Sequence, residues 1–252
     1  MSLRARIVDG VPLLGLILKI PSHSVVELAG HLGFDFVLLD TEHASAETVE
    51  VEHHIRAGDA AGIPVLVRVS GNEPASALHA LDAGAAGIVV PHVSSVAEAE
   101  AAVRAAHYPP MGTRSLAVST RAGRHGTSGL AQHLAEAARD TVVVVQAEDR
   151  HSVENCAAIA ATEGVDAVWI GSTDLSLSLG VPGNFTHADY LSAVDRIAEA
   201  VGSAPRCSLF ALVDHPGKIE EWRTRGAGVL LFNYNTVVVN GLRDIVEHAR
   251  KQ

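Results

Sequence analysis

Residues 36–45 read Phe36-Val37-Leu38-Leu39-Asp40-Thr41-Glu42-His43-Ala44-Ser45. Four apolar residues in succession, without polar alternation, describe a strand buried on both faces, as parallel strands are when helices cover them. The run then delivers two carboxylates and an imidazole at its C-terminal end. A histidine three residues after an aspartate can be held in one tautomer and used as an acid or base near neutral pH. The same pattern recurs along the chain. Near-continuous apolar runs occupy 13–19, 35–41, 64–69, 87–91, 141–147, 166–171, 207–213 and 228–233, and they alternate with Ala-rich amphipathic stretches.

The spacing predicts helices over 24–32, 46–61, 75–83, 96–106, 153–162, 189–201, 216–224 and 236–251. Glycine just past several of them (Gly62, Gly84, Gly164, Gly202, Gly226) is the expected stop signal. The 115–135 region departs from the pattern and reads as a long polar loop with a short helix. Eight strand–helix units in 252 residues predict a (β/α)8 TIM barrel, with 1–252 as one domain. A doubly wound open sheet is the rival, but no G-x-G-x-x-G follows the first strand.

Composition narrows the function classes. Apolar content of 48% with 19% charged residues supplies a packed core, and a formal charge of −10 argues against nucleic acid or an anionic membrane as partner. Two distant cysteines, Cys156 and Cys207, exclude a disulfide framework or a cysteine zinc site and suit a reducing, cytoplasmic compartment. Arg4 and Arg6 precede the apolar stretch 11–20 and could pass for a signal-peptide n-region. Asp9, Pro12 and Lys19 break that reading, and a first core strand is expected instead.

In such barrels the chemistry sits at the C-terminal ends of the strands. Those ends carry Lys19, the Asp40/Glu42/His43 set, Arg68, His92, Glu148, Ser172-Thr173-Asp174, Asp214-His215 and Asn233. Loops begin there, so some polarity is ordinary; this density of ionisable groups points to a catalytic mouth. Glu148 and Asp174 end successive strands. Two carboxylates brought together repel unless a hard divalent cation such as Mg²⁺ or Mn²⁺, a shared proton or an arginine neutralises them. Arg68 would be costly at its position without an anion: a substrate carboxylate or enolate, or a structural pair with Glu42 or Asp40. The 14 histidines show no H-x-x-x-H or H-E-x-x-H spacing, so a zincin-type site is not expected. The only lysines are Lys19, Lys218 and Lys251. Lys19 is therefore the sole candidate for an imine mechanism, and the metal reading is preferred over it.

With these residues placed, the chain resembles the HpcH/HpaI family of metal-dependent class II pyruvate aldolases. The resemblance covers nearly the whole sequence through ordered blocks: Gly33 to Ala44, Val65-Leu-Val-Arg68-Val, Leu81 to Pro91, Tyr108-Pro-Pro-Met-Gly112-Thr-Arg114, Val145-Gln146-Ala-Glu148, and Val165 to Ser176. It implies a lyase that cleaves or forms 4-hydroxy-2-oxo acids through a metal-bound pyruvate enolate, with a divalent ion (Mg²⁺, Mn²⁺ or Co²⁺) on Glu148 and Asp174. Arg68 would contact the keto oxygen and stabilise the enolate. His43, held by Asp40, would serve as acid/base through a water, with Glu42 as structural support. The backbone around Ser172 and Thr173 would hold the 2-oxo acid carboxylate, and Gln146, Lys19 and His92 fall on the substrate side. A homo-oligomer, a hexamer with the last helix packed on a neighbouring subunit, is also implied. Its substrates would be pyruvate and an aldehyde.

The chain departs from the family pattern at Lys19 and His23 after the first strand, at Ser115, at Ser172-Thr173 and at Asn233-Tyr234-Asn235. The donor half of the site is thus better specified than the aldehyde half. Competing readings are an oxaloacetate-type decarboxylase, an acyl-CoA lyase, and a non-catalytic binding barrel. A CoA site would favour a basic cluster that the chain lacks. The set Asp40, His43, Arg68, Glu148 and Asp174 argues against the binding barrel.

Overall fold

The computed structural model describes residues 1–45 and 47–251. In chain order it forms α1 (Leu3–Val8), β1 (Leu13–Leu18), α2 (His23–Leu32), β2 (Phe36–Asp40), α3 (Thr48–Ala61), β3 (Val65–Arg68), α4 (Pro74–Asp82), β4 (Gly87–Val90) and α5 (Val96–Ala106). There follow α6 (Leu130–Asp140), β5 (Val142–Ala147), α7 (Arg150–Ala160), β6 (Ala167–Ile170), α8 (Ser172–Ser178), α9 (Ala188–Gly202), β7 (Ser208–Val213), α10 (Ile219–Thr224), β8 (Ala227–Asn233) and α11 (Tyr234–Arg250). The strands pair in sequence order, all parallel, and β1 pairs with β8, so the sheet closes into the expected barrel.

Alternation along each strand divides the core in two, because successive side chains point to opposite faces. Leu13, Ile17, Phe36, Leu38, Leu66 and Val144 fill the barrel interior, whereas Leu16, Leu18, Val37, Leu39, Val67 and Val145 pack outward under the helices. Gly15 makes room at the centre: a Cβ there would collide with the Phe36 ring and Leu231. Truncating Phe36 to alanine would open that packing at a cost of about 3–5 kcal/mol. The alternation also aims the site. Continuing the inner rows upward places Lys19 above Ile17, Asp40 above Leu38, Arg68 above Leu66, and Gln146 then Glu148 above Val144. The register sets Asp40 beside Arg68 and Gln146 beside Trp169.

Three local features differ from expectation. The N-terminal arginines belong to α1, which closes the lower end of the barrel through Leu3 and Ile7. Arg4 pairs with Asp166 at 2.9 Å and Arg6 with Asp35 at 2.5 Å. The 115–135 loop leads into an 11-residue helix, α6, which runs on to Asp140. Immediately after β6 the chain forms α8, for which the short run before Gly180 carried no periodic signal. The expected start of α3 at Ala46 lies outside the described residues. Among the described residues no helix is long and apolar enough to cross a membrane.

Candidate active site

Arg68 is the hub of the barrel mouth. Its Nε and Nη2 donate to the two Asp40 oxygens at 3.0 and 2.5 Å, and Nη1 donates to Gln146 Oε1 at 3.2 Å. The Trp169 ring lies beneath the guanidinium at 5.0 Å. Both Arg68 and Asp40 are buried. Burial alone would raise the Asp40 carboxyl. The Arg68 bonds and charge, the His43 N–H and Lys19 overcome it and hold the group below its usual value. Arg68 therefore has the structural pairing that the sequence left open, with Glu42 included: Nη1 stands 3.0 Å from Glu42 Oε2.

Asp40 does not hold the His43 ring, contrary to expectation. Its Oδ1 accepts the backbone N–H groups of Glu42 and His43 at 3.1 and 3.2 Å, a tight turn that follows from a carboxylate at a strand end. The His43 ring, half exposed, faces Glu42 instead, with Nε2 3.7 Å from Oε2. Glu42 is thus not a peripheral support. It stands between His43, Arg68 and His92, with Oε1 3.0 Å from His92 Nε2.

Glu148, 3% exposed, is the second focus. Its Oε1 accepts the His92 backbone N–H at 2.7 Å and lies 2.8 Å from His92 Nδ1, while Oε2 accepts from the Gln146 amide. His92 adopts a left-handed backbone (φ 57°), which lets its main chain and its ring reach the same carboxylate. Gly171 opposite has no side chain because a Cβ would strike both Glu148 and Gln146. Burial pushes the Glu148 carboxyl up to about 7. The charges of Asp174 and Glu42 add to that rise, and the His92 contacts oppose it.

The remaining predicted residues divide into two groups. Asp174 sits in the first turn of α8, close enough to act on Glu148, and no side chain caps that helix above Ser172 and Thr173. Lys19 Nζ lies 3.7 Å from Asp40 Oδ2. Three others serve local structure. Asp214 pairs with Lys218, His215 accepts the Gly217 N–H, and Asn233 caps α11 through Asn235 N–H. His23 stands outside this constellation with Glu50 and His54, three ligand-type residues whose atoms lie within 4.8 Å of one another. Both His54 nitrogens are already engaged, Nδ1 with the Glu50 carbonyl and Nε2 with the Ser22 N–H, so that cluster ties α2 to α3.

Two groups at the mouth escaped sequence reasoning. The sequence pattern assigns Glu42 only a supporting place, and Trp169 carries no charge to mark it, although period-2 alternation in β6 aims it inward. Among the described residues Trp169 Nε1 is also buried without a hydrogen-bond partner, while Glu42 Oε2 has its ion-pair contact with Arg68 and no hydrogen bond. Unsatisfied polar atoms of this kind mark places where a ligand supplies the missing contact. The ensemble gathers a guanidinium at Arg68, three carboxylates at Glu148, Asp174 and Glu42, and an imidazole at His43.

The sequence profile of the HpcH/HpaI aldolase/citrate lyase family matches residues 14–232. The chain is 40% identical over 178 residues to a 2-dehydro-3,6-dideoxy-6-sulfogluconate aldolase from Pseudomonas putida, covering 70% of this chain and 68% of that protein. It is 38% identical over 171 residues to a 5-keto-4-deoxy-D-glucarate aldolase from Escherichia coli O139:H28, covering 68% and 66%. The matched region spans about two thirds of each of these relatives. A crystal structure of an HpcH/HpaI aldolase/citrate lyase family protein from Burkholderia cenocepacia J2315 superposes with a TM-score of 0.92 at 30% identity, covering 98% of both chains.

Proposed function

The chain belongs to the HpcH/HpaI aldolase/citrate lyase family, and on that premise we propose that it is a metal-dependent class II aldolase, a lyase that cleaves or forms 4-hydroxy-2-oxo acids with pyruvate as the donor. The observation that carries this reading is the buried Glu148 with the Asp174 and Glu42 carboxylates near enough to act on it. Such an all-oxygen, anionic set suits a hard divalent cation, and Glu148 and Asp174 would hold it. When bound, Mg²⁺, Mn²⁺ or Co²⁺ supplies Lewis-acid polarisation of the 2-oxo acid.

The chain's own residues do the rest. The uncapped first turn of α8, at Ser172 and Thr173, offers backbone N–H groups to the substrate carboxylate. Arg68, fixed by Asp40, Gln146 and Trp169, meets the negative charge that develops on the keto oxygen as the enolate forms. In cleavage, His43 accepts the 4-hydroxyl proton through a water, the bond between the third and fourth carbons breaks, and its electron pair passes to the enolate. In synthesis the same groups act in reverse. Gln146 and His92 fix Glu148 from two sides.

The same reading covers 1–252 as one catalytic domain and extends to assembly. Helix α11 has no buried residue and exposes Val237, Leu242, Ile245 and Val246. That apolar stripe suits packing on a neighbouring subunit of a homo-oligomer, a hexamer in this proposal. Two free cysteines are in keeping with a cytoplasmic setting.

Pyruvate release from a 4-hydroxy-2-oxo acid, read by a coupled reductase, tests the function. Activity should vanish in EDTA and return with Mg²⁺, Mn²⁺ or Co²⁺. Activity that survives EDTA and is abolished by borohydride would assign the chemistry to an imine on Lys19 instead.

A further inference from the structure

Trp169 has no charge and makes no hydrogen bond at the mouth, yet it lies beneath the group that organises it. In β6 the inward row runs Ala167, Trp169, Gly171, and the Cβ that Gly171 lacks would strike Glu148 and Gln146. No β6 side chain therefore stands between the indole and the polar layer above it. In the closed order of strands β6 is three places from β3, so the buried ring reaches across the barrel to face Arg68, with its centroid 5.0 Å from the guanidinium carbon. The indole is not the easiest ring to bury there. Among the described residues its Nε1–H has no acceptor, and a phenylalanine would fill an apolar interior without an unmet donor. What a tryptophan offers instead is the strongest aromatic face toward a cation.

The other contacts of Arg68 say what that face is for. A guanidinium is planar and all its N–H donors lie in the plane. Nε and Nη2 each give one to Asp40, and Nη1 gives one to Gln146 and stands 3.0 Å from Glu42 Oε2. Among the described residues Nη2 has no second acceptor. Bonds within the plane resist sliding but leave tilt about the Asp40 edge soft, and a ring against the face resists that tilt. We propose that Trp169 is a positioning residue: its indole fixes the plane of the Arg68 guanidinium, and with it the direction of the N–H that remains for the charge developing on the 2-oxo oxygen. The inference rests on the aldolase reading and adds to it the group that aims Arg68. A donor preorganised in this way acts as charge develops, so loss of its support slows enolate formation more than it weakens ground-state binding.

Oxalate is an unreactive planar dianion with the charge that pyruvate gains only as its enolate, so the Kd values of the two ligands separate developed charge from ground-state binding. In calorimetric titration of the Mg²⁺-loaded protein, Trp169→Leu should weaken oxalate about tenfold, the scale of a desolvated cation over an indole, and pyruvate by less than about twofold. Exchange of the pyruvate methyl protons in D₂O should lose kcat by the same factor at unchanged KM. Trp169→Phe, which keeps a ring, should retain more of both than Trp169→Leu. In an Arg68→Met background Trp169→Leu should weaken oxalate no further, because the group it aims is gone. No loss in Trp169→Leu, equal weakening of oxalate and pyruvate, or an undiminished loss in the Arg68→Met background would overturn this inference alone. Should Trp169→Leu fail to fold, Trp169→Phe carries the same comparisons with a smaller expected loss. Wild-type protein that binds neither ligand and exchanges no protons with Mg²⁺, Mn²⁺ or Co²⁺ would overturn the aldolase reading with it.

Discussion

Replacing Arg68 by Met removes the one cation that is fully buried between Asp40 and Glu42 while keeping much of the side-chain volume. Asp40 is wholly buried and would lose both bonds, at 3.0 and 2.5 Å, together with the charge that keeps its carboxyl low. Breaking a buried pair from one side costs about 3–5 kcal/mol, because the remaining charge is left without a partner. Two features place the expected value near the lower end. Asp40 keeps the backbone N–H groups of Glu42 and His43, and Lys19 stands 3.7 Å away. The expected destabilisation is therefore about 3 kcal/mol, measured by urea unfolding at fixed protein concentration in EDTA. Asp40→Asn in the same background removes the stranded charge, so the double variant should be more stable than the sum of the two losses implies, by about 1–3 kcal/mol. A loss below about 1 kcal/mol for Arg68→Met, or strict additivity, would refute the claim that this pair organises the mouth.

Other outcomes follow from single groups. Glu148→Gln should abolish divalent-ion binding, whereas His43→Ala should slow turnover with binding retained; equal loss of metal in both would contradict the assigned roles. Burial pushes His107, at the end of α5, down to about 4. The unfolded chain takes up that proton near pH 6.5 while the fold resists it to about 4, so stability should fall as pH drops through that window, by at most about 3 kcal/mol. Urea midpoints across pH 4–7 for wild type and His107→Gln should diverge toward acid, and parallel curves would remove His107 as the cause. Deleting α11 after Asn233 should lower the mass seen by light scattering, and an unchanged assembly would show that the exposed stripe does not hold subunits together.

The barrel was legible because its signal is repeated. Each buried strand is a short β-branched run, each helix ends on a recognisable stop, and eight such units admit few closures. The elements that escaped are those whose signal is not periodic. Helix α1 is six residues long and is held by ion pairs to Asp166 and Asp35, partners far away in sequence. Helix α8 is seven residues long and lacks a capping side chain. Within the site, the residues were readable from strand ends, but their pairings were not. Asp40 three residues before His43 suggested an oriented imidazole. The cross-strand register instead put Asp40 beside Arg68, and a bidentate guanidinium–carboxylate pair outcompetes an imidazole ring for the same oxygens. Glu42, once Asp40 was committed, became the group that His43 and His92 face.

The account turns on a divalent ion at Glu148 and Asp174 activating a 2-oxo acid whose developing charge meets Arg68. Exchange of the pyruvate methyl protons in D₂O, followed by NMR, reads that step without an aldehyde or carbon–carbon bond chemistry. The account predicts exchange with Mg²⁺, Mn²⁺ or Co²⁺, none in EDTA, and none for Glu148→Gln under any of these ions. Exchange that proceeds at the full rate in EDTA, or persists undiminished in Glu148→Gln, would contradict it.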